Sequence, residues 1–119
     1  MYKIKFYKNK QGESELLNSI NKIRKKKDKD SRVNYEKIVF IIKGLSKYGL
    51  DLGMPYIRRI NSDIWEMRPI RNRILFFAYR NNEFILLHMF YKKTNKTPKE
   101  EIEKAEKEMR NYIGGINDN

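Results

Sequence analysis

Apolar residues recur along this chain first with period two, then at helical spacing, then with period two again, and that succession predicts the order of elements. Tyr2 to Tyr7 alternates as a strand does, and Asn9-Lys10-Gln11-Gly12 ends the run with turn-forming residues. Leu16, Leu17, Ile20 and Ile23 then fall on one side of a helical projection, so a first helix is expected from Gly12 to about Lys27. Asp28-Lys29-Asp30-Ser31 reads as a polar joint. Beyond it Tyr35, Ile38, Val39, Ile42 and Leu45 repeat the helical stripe up to Tyr48-Gly49. Two helices so close in sequence predict an antiparallel hairpin that covers one face of a sheet.

Leu50-Asp51-Leu52-Gly53-Met54-Pro55 breaks the second helix and leads into extended runs at Tyr56 to Ile60, Asp63 to Arg68, Arg73 to Arg80 and Phe84 to Tyr91. Their separators, Asn61-Ser62, Pro69-Ile70-Arg71-Asn72 and Asn81-Asn82, are turn-like, so an antiparallel meander is expected. Ile74 to Tyr79 is apolar on both alternating faces and suits a central strand, whereas Tyr56-Ile57-Arg58-Arg59-Ile60 suits a more exposed position. Thr97-Pro98-Lys99-Glu100 has the form of a capping box with proline at the first helical position. It opens a last helix carrying Ile102, Ala105, Met109 and Tyr112, which Gly114-Gly115 is expected to stop, leaving residues 114–119 as a frayed tail. The expected fold is α+β in the order β-α-α-β-β-β-β-α: a small antiparallel sheet of four or five strands, packed by an N-terminal helical hairpin and a C-terminal helix. One domain over residues 1–119 is expected.

Composition narrows the function classes. At 119 residues there is room for one core and none for a second domain. A formal net charge of +12 exceeds what solubility needs and favours polyanionic partners: nucleic acid, an anionic membrane surface or an acidic protein. The chain has no cysteine, so thiolate nucleophiles, disulfides and cysteine-bound zinc are excluded, and its one histidine makes a histidine-based metal site unsuitable. No apolar run approaches the roughly 20 residues that span a bilayer, so a cytoplasmic protein without membrane attachment is expected.

The stretch from His88 to Pro98 changes the picture most, because an apolar strand turns without a break into a segment with Lys92, Lys93 and Lys96 and no acid. Lysines held in a fixed loop beside a helix start suggest an anion site, with RNA phosphate as the anion. Arg68, Arg71 and Arg73 bracket the turn between two strands, and Glu66 shares a strand face with Arg68. Such a group can be a solvated hairpin end, or it can present Arg73 from a rigid strand to a groove, where a guanidinium binds phosphate with parallel hydrogen bonds. His88 is open to two readings, a hydrogen-bonded core residue or a general acid or base. Lys25, Lys26 and Lys27 end the first helix, where cations complement the dipole, and they can also touch a nucleic-acid backbone. Tyr91 can pack in the sheet or stack on an unpaired base. The acids of the last helix, Glu100, Glu101, Glu103, Glu106 and Glu108, alternate with lysines as salt-bridging surface rather than as a metal cage, so metal-free chemistry without a cofactor is expected.

The element order, together with Leu52-Gly53-Met54-Pro55, Ile64-Trp65-Glu66-Met67-Arg68, Arg73-Ile74-Leu75-Phe76-Phe77 and a complete H-x-F-x-K-K-T-x-K-T-P pattern from His88 to Pro98, resembles the RelE/HigB toxin family. The likeness is strongest to its phage-derived Gp49-like branch and covers nearly the whole chain, the first helix by pattern only. It implies the toxin of a type II toxin-antitoxin pair: a ribosome-dependent, metal-independent endoribonuclease that cuts mRNA in the ribosomal A site. A HigA-like helix-turn-helix antitoxin would neutralise it, and operator DNA would be reached only through that antitoxin. On this resemblance Arg73 matches the arginine that stabilises the scissile phosphate, Arg68 a basic strand position, and Lys93 the cation after the last strand. Lys92, Lys96, Arg71, Tyr91, Lys25, Lys26 and Lys27 would contact RNA. Glu66 departs from the lysine of RelE, although an acid is usual in the Gp49-like branch, and no side chain matches the C-terminal tyrosine of RelE. Glu66 and His88 are thus the candidates for proton acceptor. Two rival readings come from other classes: a ParE-like inhibitor of DNA gyrase, and a basic RNA-binding module without catalysis.

Overall fold

A computed structural model describes residues 1–117. The elements in chain order are β1 (Lys3–Phe6), α1 (Glu15–Lys25), α2 (Lys29–Tyr48), a 3-10 turn (Gly49–Leu52), β2 (Ile57–Arg59), β3 (Ile64–Met67), β4 (Asn72–Tyr79), β5 (Glu83–Tyr91) and α3 (Lys99–Asn117). This is the expected α+β order. The five strands form one sheet in the order β1-β5-β4-β3-β2.

Local capping explains where the first two helices begin. Ser14 accepts a hydrogen bond from the Leu17 amide at 3.1 Å, and Asp28 accepts one from the Ser31 amide at 3.0 Å. The joint between them is therefore shorter than expected, since Asp28 caps α2 instead of ending a loop. Leu16 and Ile20 of α1 pack with Ile38, Ile41 and Leu45 of α2 against Ile57, Met67, Ile74, Phe76, Phe84 and Leu86 of the sheet. A second apolar cluster on the other face joins Ile64, Leu75, Phe77, Ile85 and Leu87 to Ala105 of α3. The central strand is buried on both faces because each face has its own helical cover.

Strands β2 to β5 form the expected antiparallel meander, but β1 pairs with β5 in parallel, so the sheet is mixed. Period-two alternation marks a strand without saying which way its neighbour runs. The helical pair carries the chain from one edge of the sheet to the other, and the meander then walks back until β5 lies beside β1 in the same direction. Helix α3 also runs through Gly114 and Gly115, which were expected to stop it. Glycine weakens a helix interior by about 1 kcal/mol relative to alanine without forbidding the conformation. Of the frayed tail expected over residues 114–119, residues 114–117 are helical, and residues 118–119 lie outside the described residues.

Candidate functional site

The α3 face of the sheet becomes charged at one end. Glu66 lies two residues beyond buried Ile64 on β3 and so points to the same side. Register places Arg58 of β2 directly across from it on one flank and Leu75 of β4 on the other, with Arg73 two residues before Leu75. The loop from Lys92 to Pro98 folds over this end. Its first residue is anchored to the preceding turn, where the Lys92 amide donates to the Arg71 carbonyl at 2.6 Å.

Glu66 is 1% exposed and both its oxygens are engaged. Oε2 lies 3.1 Å from Arg58 Nη2, 3.8 Å from Arg68 Nε and 3.9 Å from Arg73 Nε. Oε1 accepts a 2.6 Å hydrogen bond from Thr97 Oγ1, and that hydroxyl in turn accepts from Arg58 Nη2 at 3.2 Å. Three guanidiniums thus surround one carboxylate, and the cluster keeps a net positive charge. Arg73 does not face an open groove as expected. Its side chain is 7% exposed, and Nη1 donates to the Ile70 and Asn72 carbonyls at 3.0 and 2.8 Å. Burial pulls the Arg73 guanidinium below its usual value, Glu66 opposes the shift, and Arg68 and Arg58 add to it. The pocket between the sheet and the loop is lined by Glu66, Arg73, Phe90 and the segment from Lys92 to Pro98, and at about 10 Å³ it has room for no more than one water.

Thr97 was expected to cap the last helix. It is instead turned inward to Glu66, and α3 begins one residue after Pro98, whose carbonyl accepts from the Ile102 amide at 3.2 Å. A capping box and an inward threonine share one local sequence, and the buried carboxylate across the sheet decides between them.

His88 belongs to a separate constellation. Leu87 is an extra residue in β5, because Phe76 pairs with Leu86 while Leu75 pairs with His88. This bulge turns both Leu87 and His88 to the α3 face; simple alternation would have sent His88 to the helical-hairpin side with Phe84 and Leu86. There Nδ1 lies 2.5 Å from Glu108 Oε1 and Nε2 2.9 Å from Glu101 Oε1. Both ring nitrogens are occupied and the residue is 3% exposed, so it holds α3 to the sheet and offers no atom to a substrate.

Of the residues proposed from sequence, Glu66, Arg68 and Arg73 converge, and Lys92 and Lys93 line the loop above them with Lys96. Arg71 is exposed in the adjoining turn, and Tyr91 is 58% exposed opposite Asn72. Lys25, Lys26 and Lys27 are exposed at the end of α1, whose buried residues pack on the other face of the sheet. Sequence reasoning missed Arg58 and Thr97. Arg58 could have been found by aligning the β2 and β3 alternation, which sets a cation opposite Glu66. Among the described residues no three His, Cys, Asp or Glu side chains form a metal-binding group, and no helix is long and apolar enough to cross a membrane.

A comparison with curated proteins finds no match. The family model described as "Phage derived protein Gp49-like (DUF891)" matches residues 25–110. That span runs from the end of α1 into α3 and includes Arg58, Glu66, Arg68, Arg73 and every residue of the loop above them. It is a family of RelE/HigB-like toxins, for which an antitoxin is the expected partner. On fold, site and matched span together, the chain belongs to the phage-derived Gp49-like family.

Proposed function

We propose that this protein is a ribosome-dependent mRNA endoribonuclease, the toxin of a type II pair silenced by a HigA-like antitoxin. The observation that carries the reading is the group of Arg58, Arg68 and Arg73 about one buried carboxylate, roofed by a loop with Lys92, Lys93 and Lys96. Guanidinium and ammonium groups fixed on rigid elements suit phosphoryl chemistry, where charge grows on the phosphate as the transition state forms. In the reaction proposed, a 2′-hydroxyl loses its proton to water and attacks its own 3′-phosphate, the bond to the 5′-oxygen breaks, and a 2′,3′-cyclic phosphate remains. In this reading Arg68 and Lys93 meet that phosphate, and the Lys93 ammonium gives a proton to the leaving oxygen. Arg73 adds charge from beneath. Neither Glu66 nor His88 presents a free atom to the 2′-hydroxyl in this structure, so in this reading the protein contributes charge stabilisation and the Lys93 proton, and no general base. Lys92, Lys96, Arg71 and Tyr91 flank the site as RNA contacts, with Lys25 to Lys27 as a more distant one.

The test is cleavage of ribosome-bound mRNA by purified protein, mapped to the nucleotide and repeated in EDTA. Cuts within codons that persist in chelator, and fall on the order of a hundredfold in Arg73→Ala, are expected. Intact mRNA accompanied by gyrase-linked DNA breaks would replace this reading with the ParE-like one. RNA binding without either effect would leave a non-catalytic binding module.

A further inference from the structure

One carboxylate cannot satisfy three guanidiniums, and Arg58 is the one of the three that reaches furthest into solvent. Its side chain is 39% exposed, against 24% for Arg68 and 7% for Arg73. Nη2 is held from two sides, by Glu66 Oε2 at 3.1 Å and by Thr97 Oγ1 at 3.2 Å. Nε is buried without a hydrogen-bond partner, as is the Nε of Arg68, so the outward donor left to Arg58 is on Nη1. A guanidinium pinned through Nη2 has its plane fixed, and in a side chain 39% exposed the Nη1 edge is left to donate to the oxygens of a phosphate. Glu66 is in the opposite condition. Both oxygens are engaged, and the pocket above it holds about 10 Å³, so no 2′-hydroxyl comes within the ~3 Å a proton acceptor requires.

We propose that Arg58 binds a backbone phosphate of single-stranded RNA at this site, and that Glu66 and Thr97 are the positioning residues that hold its guanidinium for that task. The proposal rests on the nuclease reading and names a substrate contact that reading did not include.

Two measurements test it: anisotropy of a short single-stranded RNA across a salt series, and steady-state cleavage of ribosome-bound mRNA. Both are made on the parent, Arg58→Ala, Arg58→Lys, Glu66→Gln and Thr97→Val, with thermal melts to establish folding. Loss of one phosphate contact flattens the slope of log K against log salt by about 0.7 for a single strand, and this is expected for Arg58→Ala. KM should rise about tenfold in the same variant, the worth of one charged hydrogen bond. Arg58→Lys keeps the charge and the slope but loses the fork, so its KM should fall between the two.

Thr97→Val and Glu66→Gln leave the cation in place but loosen it. They should keep the parental salt slope and the shape of the pH–rate profile while kcat/KM drops several-fold, an effect on the order of one neutral hydrogen bond. Thr97→Val carries this arm alone if Glu66→Gln does not fold. Arg58→Ala with parental slope and KM would overturn the phosphate contact while leaving the nuclease reading intact. Thr97→Val with parental kcat/KM, or loss of a limb of the pH profile in Glu66→Gln, would overturn the positioning role. A parent that neither binds RNA nor cuts mRNA would remove both proposals at once.

Discussion

Thr97 donates a 2.6 Å hydrogen bond to Oε1 of Glu66, tying the loop after β5 to a carboxylate buried in β3. The bond joins two segments that lie far apart in the chain, and it explains why a lysine-rich loop with little apolar content stays against the sheet. Replacing Thr97 with the nearly isosteric valine removes the donor and leaves a buried carboxylate oxygen short of a partner. A stability loss of about 1–3 kcal/mol is expected, read from denaturant midpoints at unchanged m value. Thr97→Ser, which keeps the hydroxyl, should recover most of it. Equal midpoints for the valine and serine variants would show that the hydroxyl is not what holds the loop.

His88 gives the sharpest separation of structure from catalysis. It joins β5 to α3 through Glu108 and Glu101 at 2.5 and 2.9 Å. Glutamine can replace only part of that pairing, so His88→Gln should lower stability by about 1–3 kcal/mol. Cleavage measured well below the melting temperature should stay within a few-fold of the parent. General acid–base groups typically contribute about 10²–10⁴-fold, so a loss of that size in a fully folded variant would restore His88 to the chemistry.

Gly49 ends α2 with a φ of +61°, and a Cβ there would lie 2.6 Å from ring carbons of Tyr2. That crowding is the result of a close junction, since the Tyr2 amide donates to the Ser46 carbonyl at 2.8 Å and Ser46 Oγ donates to the Tyr2 carbonyl at 2.8 Å. Gly49→Ala should therefore cost about 1–3 kcal/mol for the backbone conformation and more for the clash. Adding Tyr2→Ala removes the ring, so calorimetry on the double variant should show less than the sum of the two single losses. Strict additivity would mean that the backbone angle alone is responsible.

Asp28 provides a dependence on pH. The hydrogen bonds from Ser31 hold its carboxyl below the ordinary carboxylate value. A carboxyl depressed in the folded state adds stability above its unfolded value, and that stability is lost as pH falls through the lower folded value. Asp28→Ala should thus melt at a lower temperature than the parent near neutral pH. The two melting temperatures should converge as the pH drops below about 4, where free aspartate titrates. A constant gap down to the acid limit would place the cap's contribution outside the charge of Asp28.

Much of the fold was legible because the signals are local. Leu16, Ile20, Ile38 and Leu45 carry the helical stripe, and all four are buried between the hairpin and the sheet. Ile74 to Phe77 is apolar on both faces, and all four residues are buried in β4. The site was legible only in part. Glu66, Arg68 and Arg73 stand out as charges beside a turn, whereas Arg58 joins them only once the register of β2 on β3 is set. Thr97 was misplaced, and His88, a hydrogen-bonded core residue as one of its two readings had it, has partners that the sequence did not show, for a related reason. Thr97 fits a helix cap equally well, and the extra residue Leu87 shifts the face on which His88 lies.

The sequence by itself determined the elements, their order, the excess of positive charge and the motif from His88 to Pro98, because each depends on spacing or composition within one short segment. Tertiary structure alone decided that β1 runs parallel to β5, that one carboxylate gathers three arginines, and that the lysine loop is latched from below by Thr97. Those outcomes depend on strand register and on contacts between distant segments. A single-residue shift in register exchanges every side chain between the two faces of a sheet, and no local pattern records which choice the folded chain makes.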